Sequence, residues 1–144
     1  MGGLPLRAIA AFQTALSYAL SRRQGEPLSH ETGTIADHAD VRRMLATMQA
    51  NVFTARAIAL SCAVAIDMGR ATGENDWLAR AALLTPIAKA FGTETGIDVA
   101  SSGIQVHGGA GYIEQSGAAQ FLRDVRVTAI YEGTNGIQAM DLVG

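Results

Sequence analysis

The 144-residue chain has one cysteine, three prolines, 6% aromatic residues and no long uninterrupted apolar run. Cys62 alone cannot close an internal disulfide. Its apolar neighbours mark it as core rather than nucleophile, so the chain reads as intracellular, with a cytoplasmic location expected. Scarce proline and aromatics beside long alanine-rich stretches favour helix over sheet. A membrane span needs about 18 or more consecutive apolar residues, and Arg56, Asp67 and Arg70 interrupt the longest candidate. Charge is sparse and nearly balanced, with 11 basic and 13 acidic residues and a net charge of −2. That gives no support to a nucleic-acid or membrane-surface binder. Met1-Gly2-Gly3 opens the chain without a basic and then an apolar region, and reads equally as added residues or a true start. His30, His38 and His107 are scattered, without His-x-x-x-His or paired-cysteine spacing, so no metal is expected. No Ser or Cys sits in a nucleophile elbow. What is present is a 49% hydrophobic, 17% charged composition, enough to bury one core in one domain.

Helical periodicity dominates. Leu6, Ile9, Phe12, Leu16 and Leu20 form one stripe, which stops at Arg22-Arg23-Gln24-Gly25, and residues 25–36 read as a polar loop. Asp37 is placed to cap a second helix, whose residues Val41, Met44, Leu45, Met48, Val52, Ala55, Ala59, Cys62 and Ile66 keep a 3/4 spacing to about Gly69. That run of about 25 residues is roughly 38 Å long and needs bundle partners to cover its stripe. Gly73 breaks it, and Asn75 or Asp76 can cap a third helix. Trp77, Leu78, Ala81, Leu84, Ala88, Phe91, Thr95, Val99, Ser102 and Val106 carry the third helix, and Pro86 inside it predicts a kink or two abutting segments. Ten of the sixteen glycines follow residue 91, so the last third differs from the rest. Short helices are expected near 116–123 and 135–143, and the alternation of 125–131 allows a short extended stretch. The expected fold is all-α, a helical bundle in one domain over 1–144.

Two segments invite a chemical reading. In Gln105-Val106-His107-Gly108-Gly109-Ala110-Gly111-Tyr112, glycines after a long helix usually make a C-cap and turn. The functional alternative is exposed backbone that a flat or phosphorylated ligand can approach, with Gln105 reaching it from the side. In Tyr131-Glu132-Gly133-Thr134-Asn135-Gly136-Ile137-Gln138, the ordinary reading is a loop glutamate beside a helix capped by Thr134 or Asn135. The alternative is a partly desolvated carboxylate acting as general base, its pKa raised by burial.

Read together, TAIYEGTNGIQ, GIQVHGGAGYIEQSGAAQFLRDVRV and DVRRMLATM resemble the C-terminal domain of the acyl-CoA dehydrogenase family from roughly Gly3 to Gly144. The wording of VRRML and YIEQSGAAQFLRD is most similar to the bacterial branch of methylmercaptopropionyl-CoA dehydrogenase-like and alkylation-response-like proteins. The resemblance implies a four-helix bundle, with the family's N-terminal helical and middle β domains outside this chain, and hence a fragment. It implies an FAD-dependent dehydrogenation of an acyl-CoA thioester. Glu132 would take the α-proton, the β-hydrogen would pass to flavin as hydride, and Tyr131 and Gly133 would touch substrate. Thr134 and Asn135 would lie at the flavin. Arg22 and Gln24, with Gln105, Gly108 and Gly109, would contact the FAD of a neighbouring subunit in a dimer or tetramer. The electron acceptor implied is electron-transfer flavoprotein or a similar protein. Arg123 and Asp124 match a family pair expected to orient the base loop as a local ion pair. The chain departs from the family at Gly25-Glu26, Ala39 and Gly136, and its 26–36 segment is longer than usual, which weakens the roles of Gln24 and Gly136. An acyl-CoA oxidase, or a non-catalytic assembly or DNA-protecting relative, is the alternative, though the acidic composition argues against DNA binding.

Overall fold

The computed structural model describes residues 4–26 and 31–143, with side chains from Arg7 onward. Met1-Gly2-Gly3 and His30 lie outside the described residues. Six α-helices and no strand are found among them: α1 (Leu4–Ser21), α2 (Ala39–Thr72), α3 (Asn75–His107), α4 (Gly109–Tyr112), α5 (Ala118–Arg126) and α6 (Asn135–Val143).

The helix α3 is the hub, with α1, α2, α4, α5 and α6 all packed against it. Its C-terminal half can accept so many neighbours because small residues recur along it. Gly92, Gly96, Ala100 and Gly103 are all buried there. A Cβ on Gly96 would stand 2.6 Å from Val125 Cγ2 of α5, and one on Gly103 would meet the Ala11 carbonyl of α1 at 3.6 Å. The facing side of α1 is equally small, with Ala8, Ala11, Ala15 and Ala19 at most 3% exposed. This corrects the expected α1 stripe. Ile9, Phe12 and Leu16 only flank the core, Leu20 is exposed, and the side chain of Leu6 lies outside the described residues. Close backbone approach, rather than interlocking large side chains, joins α1 to α3, and alanine on glycine is the chemistry that allows it.

The second helix follows its sequence pattern closely. Leu45, Met48, Val52, Ala55 and Cys62 are buried on one face at 3/4 spacing, and Gly73 ends the helix with φ 68°. At 34 residues α2 is about 51 Å long, and Gly73-Glu74 turns the chain straight into α3. Toward this turn the core thins. Phe53, Leu60 and Val64 face outward, and Leu78 and Leu83 near the start of α3 are also exposed. The expected buried stripe therefore fails at Leu78 and Phe91, which are exposed, and Trp77 is only half-buried. By length and composition α2 could cross a bilayer, with mean hydropathy 1.5 over 18 residues, although Arg56 and Asp67 flank its outward stripe. Pro86 is buried within a continuous α3, not between two segments.

Residues 125–131 are not extended. The stretch closes α5, passes through a 3-10 turn at Val127–Ala129, and is held by Thr128 Oγ1 donating to the Val125 carbonyl at 2.5 Å. Val125 and Thr128 are buried three residues apart while Val127 and Ile130 face out, so alternation and helical spacing coincide in this short run. Arg123 and Asp124 do not pair with each other. Asp124 takes Arg7 of α1, and Arg123 reaches Glu114 at 3.4 Å.

Asp37 does not cap α2, where His38 holds that position. Its buried carboxylate instead closes the preceding loop. Thr32 and Gly33 N–H donate to Oδ2 at 2.9 and 2.8 Å, the Thr32 hydroxyl donates to Oδ1 at 3.1 Å, and Arg42 approaches at 3.5 Å. Burial alone would raise its pKa, but the two N–H donors, the hydroxyl and the Arg42 charge outweigh it and hold the group below its usual 3.8.

Two measurements check this account. Gly96→Ala should destabilise the chain by about 1–3 kcal/mol through overpacking against Val125. In contrast, Gly92→Ala, which meets no atom within 4 Å, should stabilise it by about 0.5–1 kcal/mol; equal urea midpoints for the two would contradict the close-approach argument. Because the Asp37 pKa is lowered on folding, its contribution is complete above about pH 3.8 and disappears as pH falls through the folded value. Asp37→Asn should lose stability at neutral pH and show a flatter decline in acid, read from urea unfolding across the acid range.

Candidate functional site

The loop between the 3-10 turn and α6 carries Glu132, whose φ of 54° makes it the only non-glycine with positive φ among the described residues. Gly133 continues the left-handed stretch at φ 86°. Such a conformation costs a glutamate about 1–3 kcal/mol and persists only where surroundings enforce it. The enforcement comes from α3. Lys89 Nζ donates to the Gly133 carbonyl at 2.5 Å and to Asn135 Oδ1 at 3.2 Å. Thr93 Oγ1 donates to the same Oδ1 at 3.1 Å, and Asn135 Nδ2 donates to Glu94 Oε1 at 2.6 Å.

These bonds separate the roles within the loop. Both ends of the Asn135 amide bond α3, so it anchors the loop, with one Nδ2 hydrogen left over. Thr134 caps α6, its hydroxyl accepting Ile137 N–H at 3.4 Å and its carbonyl accepting Gln138 N–H at 3.1 Å. Tyr131 and Glu132 are exposed and Gly133 is half-buried. The desolvated glutamate expected from the sequence is therefore not produced by this chain's own residues, because Ala129 and Ile130 do not cover it. Lys89, Thr93 and Glu94 escaped sequence reasoning. A lysine on a helix is normally solvated, and its partners here lie 44 and 46 residues further on.

Four of the five residues of the second expected group come together, and Gly109 is not among those lining the cleft. Arg22, Gln24, Gln105 and Gly108 line one open cleft of about 340 Å³ beside the end of α1. Arg22 donates to Gln24 Oε1 from Nε at 3.4 Å and from Nη2 at 3.1 Å, which leaves part of the guanidinium fork free. His38 Nε2 lies 2.9 Å from the Gln24 carbonyl and so ties the loop beyond α1 to the start of α2. Tyr18 stacks on His107 at 4.3 Å between ring centroids and forms the cleft wall. His107 Nδ1 lies 2.7 Å from the Gly103 carbonyl, so that nitrogen carries the proton and donates. Gly108 adopts φ 60°, ψ −141°, a conformation essentially confined to glycine. At Gly109 a Cβ would meet nothing within 4 Å, so no contact inside the chain requires glycine there. Gly111 is different: a Cβ would strike the Ile104 carbonyl, so α4 lies tight on α3 only because that side chain is missing. Tyr18, His38 and His107 are cleft residues that the sequence reading passed over, although His107 stands inside the quoted glycine motif. Among the described residues no cluster of three or more His, Cys, Asp or Glu is placed to hold a metal ion.

An arginine fork with spare donors, a glycine-only backbone and an aromatic wall suit a phosphorylated, flat-ringed ligand. The chain is also similar to known proteins. Residues 2–143 match the family described as acyl-CoA dehydrogenase, C-terminal domain. The 3-methylmercaptopropionyl-CoA dehydrogenase of Ruegeria pomeroyi is 44% identical over 140 residues, covering 93% of this chain and 24% of that protein. The butyryl-CoA dehydrogenase of Syntrophomonas wolfei is 34% identical over 142 residues, covering 94% of this chain and 23% of that protein. The solved butyryl-CoA dehydrogenase of Megasphaera elsdenii superposes with a TM-score of 0.81 at 27% identity, over 98% of this chain and 33% of that one. The chain thus spans about a quarter of the length of these curated relatives. Match, identity and superposition all run the full length of the helical arrangement described above, and the chain belongs to the acyl-CoA dehydrogenase family, of which it carries the C-terminal domain.

Proposed function

We propose that this chain is the base-bearing domain of an FAD-dependent acyl-CoA dehydrogenase. The observation that carries the reading is the left-handed backbone at Glu132, strain placed on a carboxylate rather than on a glycine. A proton α to a thioester is weakly acidic, so its removal needs a base held in one place and, in the assembled site, shielded from water. The clamp from α3 supplies the fixed placement, while the exposed face of Glu132 remains open to substrate and to the domain that would cover it. The Glu132 N–H is a candidate donor to the enolate oxygen as charge develops there. Tyr131 and Gly133 flank the carboxylate as substrate contacts. Bound FAD would supply a hydride acceptor for the β-hydrogen, and electron-transfer flavoprotein or a similar protein would reoxidise it.

The chain's residues fit the dinucleotide at the cleft. Arg22 has guanidinium hydrogens to spare for a pyrophosphate, Gly108 allows close backbone approach, and Gln105 and Gln24 stand beside them. Thr134, at the exposed start of α6, could place the helix N-terminus against an electron-rich group.

Homo-oligomerisation belongs to the same reading. Phe53, Leu60 and Val64 recur along α2 at intervals of seven and four, one outward apolar stripe, and Phe53 is 73% exposed. Such a stripe marks an interface. Light scattering should show self-association that Phe53→Glu with Leu60→Glu abolishes. A clean wild-type monomer over a wide concentration range would contradict it.

In the flavin-loaded enzyme carrying this domain, Glu132→Gln keeps the shape of the side chain and removes the base. Flavin reduction by acyl-CoA in a single turnover should slow at least about 10²-fold, with flavin content unchanged because Arg22 and Gln105 are untouched. Bleaching at the wild-type rate would show that Glu132 is not the base.

A further inference from the structure

Lys89 is only 7% exposed on α3, and lysines are seldom buried without a partner charge. No carboxylate pairs with it among the described residues; both its contacts are neutral oxygens, the Gly133 carbonyl and Asn135 Oδ1. If the space needed only filling, methionine or leucine would fill it without the cost of desolvating an ammonium. What the charge gains is a hold on one segment. Gly133 follows Glu132 directly and shares its left-handed stretch, and Asn135 lies two residues beyond. Thr93 and Glu94, four and five residues along the same helix, hold the two ends of the Asn135 amide. The only strained non-glycine backbone among the described residues is therefore fastened through a three-residue grip on α3, with Lys89 as the sole member that bonds the loop's main chain.

The geometry points to Lys89 as a positioning residue for the reaction: its ammonium, bonded to the Gly133 carbonyl and the Asn135 amide, holds Glu132 left-handed and so aims the carboxylate. Lys89 does not itself touch the reacting atoms. The inference rests on Glu132 being the base, and the experiment keeps the two apart. The variants are Lys89→Met, which removes the charge and both donors, and Lys89→Arg, which keeps a cation within reach. Asn135→Leu breaks the grip from the loop side should Lys89→Met fail to fold.

Two readouts are needed, both on the flavin-loaded enzyme. Hydrogen exchange over residues 131–138 should accelerate in Lys89→Met and in Asn135→Leu while exchange in the core of α3 and α1 is unchanged, and Lys89→Arg should restore part of the protection. Single-turnover flavin reduction should slow about 10–100-fold in Lys89→Met, the scale expected when a reacting group is misplaced by about an ångström, with acyl-CoA affinity little changed. The slowing should be the same factor at every pH, because a misaimed base keeps its own titration. A rate loss that comes as a shifted pH limb would overturn the proposal, showing that the lysine charge acts on the carboxyl directly. Wild-type reduction with faster loop exchange would overturn it too, leaving Lys89 a tie between elements without influence on the base. In either case a slow Glu132→Gln enzyme leaves the base reading standing, whereas a fast one sinks that reading by itself.

Discussion

Everything in this chain depends on how closely other backbones can come to α3. The missing side chain at Gly96 lets α5 settle against it, and α1 meets it through a face of alanines with almost no volume of its own. A core built this way gains little from any one large side chain. It relies on many short-range contacts, and where Gly96 faces Val125 it tolerates no added methyl without a shift. Val125, the residue packed on Gly96, lies at the end of α5, directly before the 3-10 turn that leads into the Glu132 loop.

Local and tertiary forces oppose each other in that loop. Glu132 on its own would leave the left-handed region, since a side chain there is penalised. The opposing force comes from α3 and is polar: the buried Lys89 ammonium and Thr93 hydroxyl, with the Glu94 carboxylate, hold the Gly133 carbonyl and the Asn135 amide. Low local dielectric strengthens such bonds when all are made and makes each costly to lose. The grip and the strain therefore stand or fall together. The cleft by Arg22 works differently: Arg22, Gln24, Gln105 and Gly108 are exposed, and Arg22 and His38 are both tied to Gln24.

How much of this could be read from the sequence depended on how many neighbours each element has. α2 was legible because one face packs and the other does not, so Leu45, Met48, Val52 and Ala55 show their period plainly. α1 was misread because large residues draw the eye while Ala8, Ala11, Ala15 and Ala19 make the contact. Residues 125–131 were ambiguous because Val125 and Thr128 satisfy a helical spacing inside an alternating run. Arg22, Gln24, Gln105 and Gly108 converge in the fold, and no local pattern could have joined positions more than 80 residues apart. Lys89 was invisible for the converse reason: its type suggests solvent, and only the fold brings Gly133 to it.

The long α2–α3 hairpin also sets how the protein comes apart. From Gly73 back to about Leu60, and forward to about Leu83, each helix has only the other to lean on, whereas the opposite end is surrounded by α1, α5 and α6. Native opening should thus be graded along the hairpin, the turn end fraying with little free energy while the part of α3 beyond Lys89 opens only with the whole domain. The loop at Glu132 is anchored past the loose tip, near the middle of α3. Fluctuations that begin at the tip can dissipate within the hairpin before they reach it, so the domain can tolerate a restless extremity without disturbing its strained carboxylate.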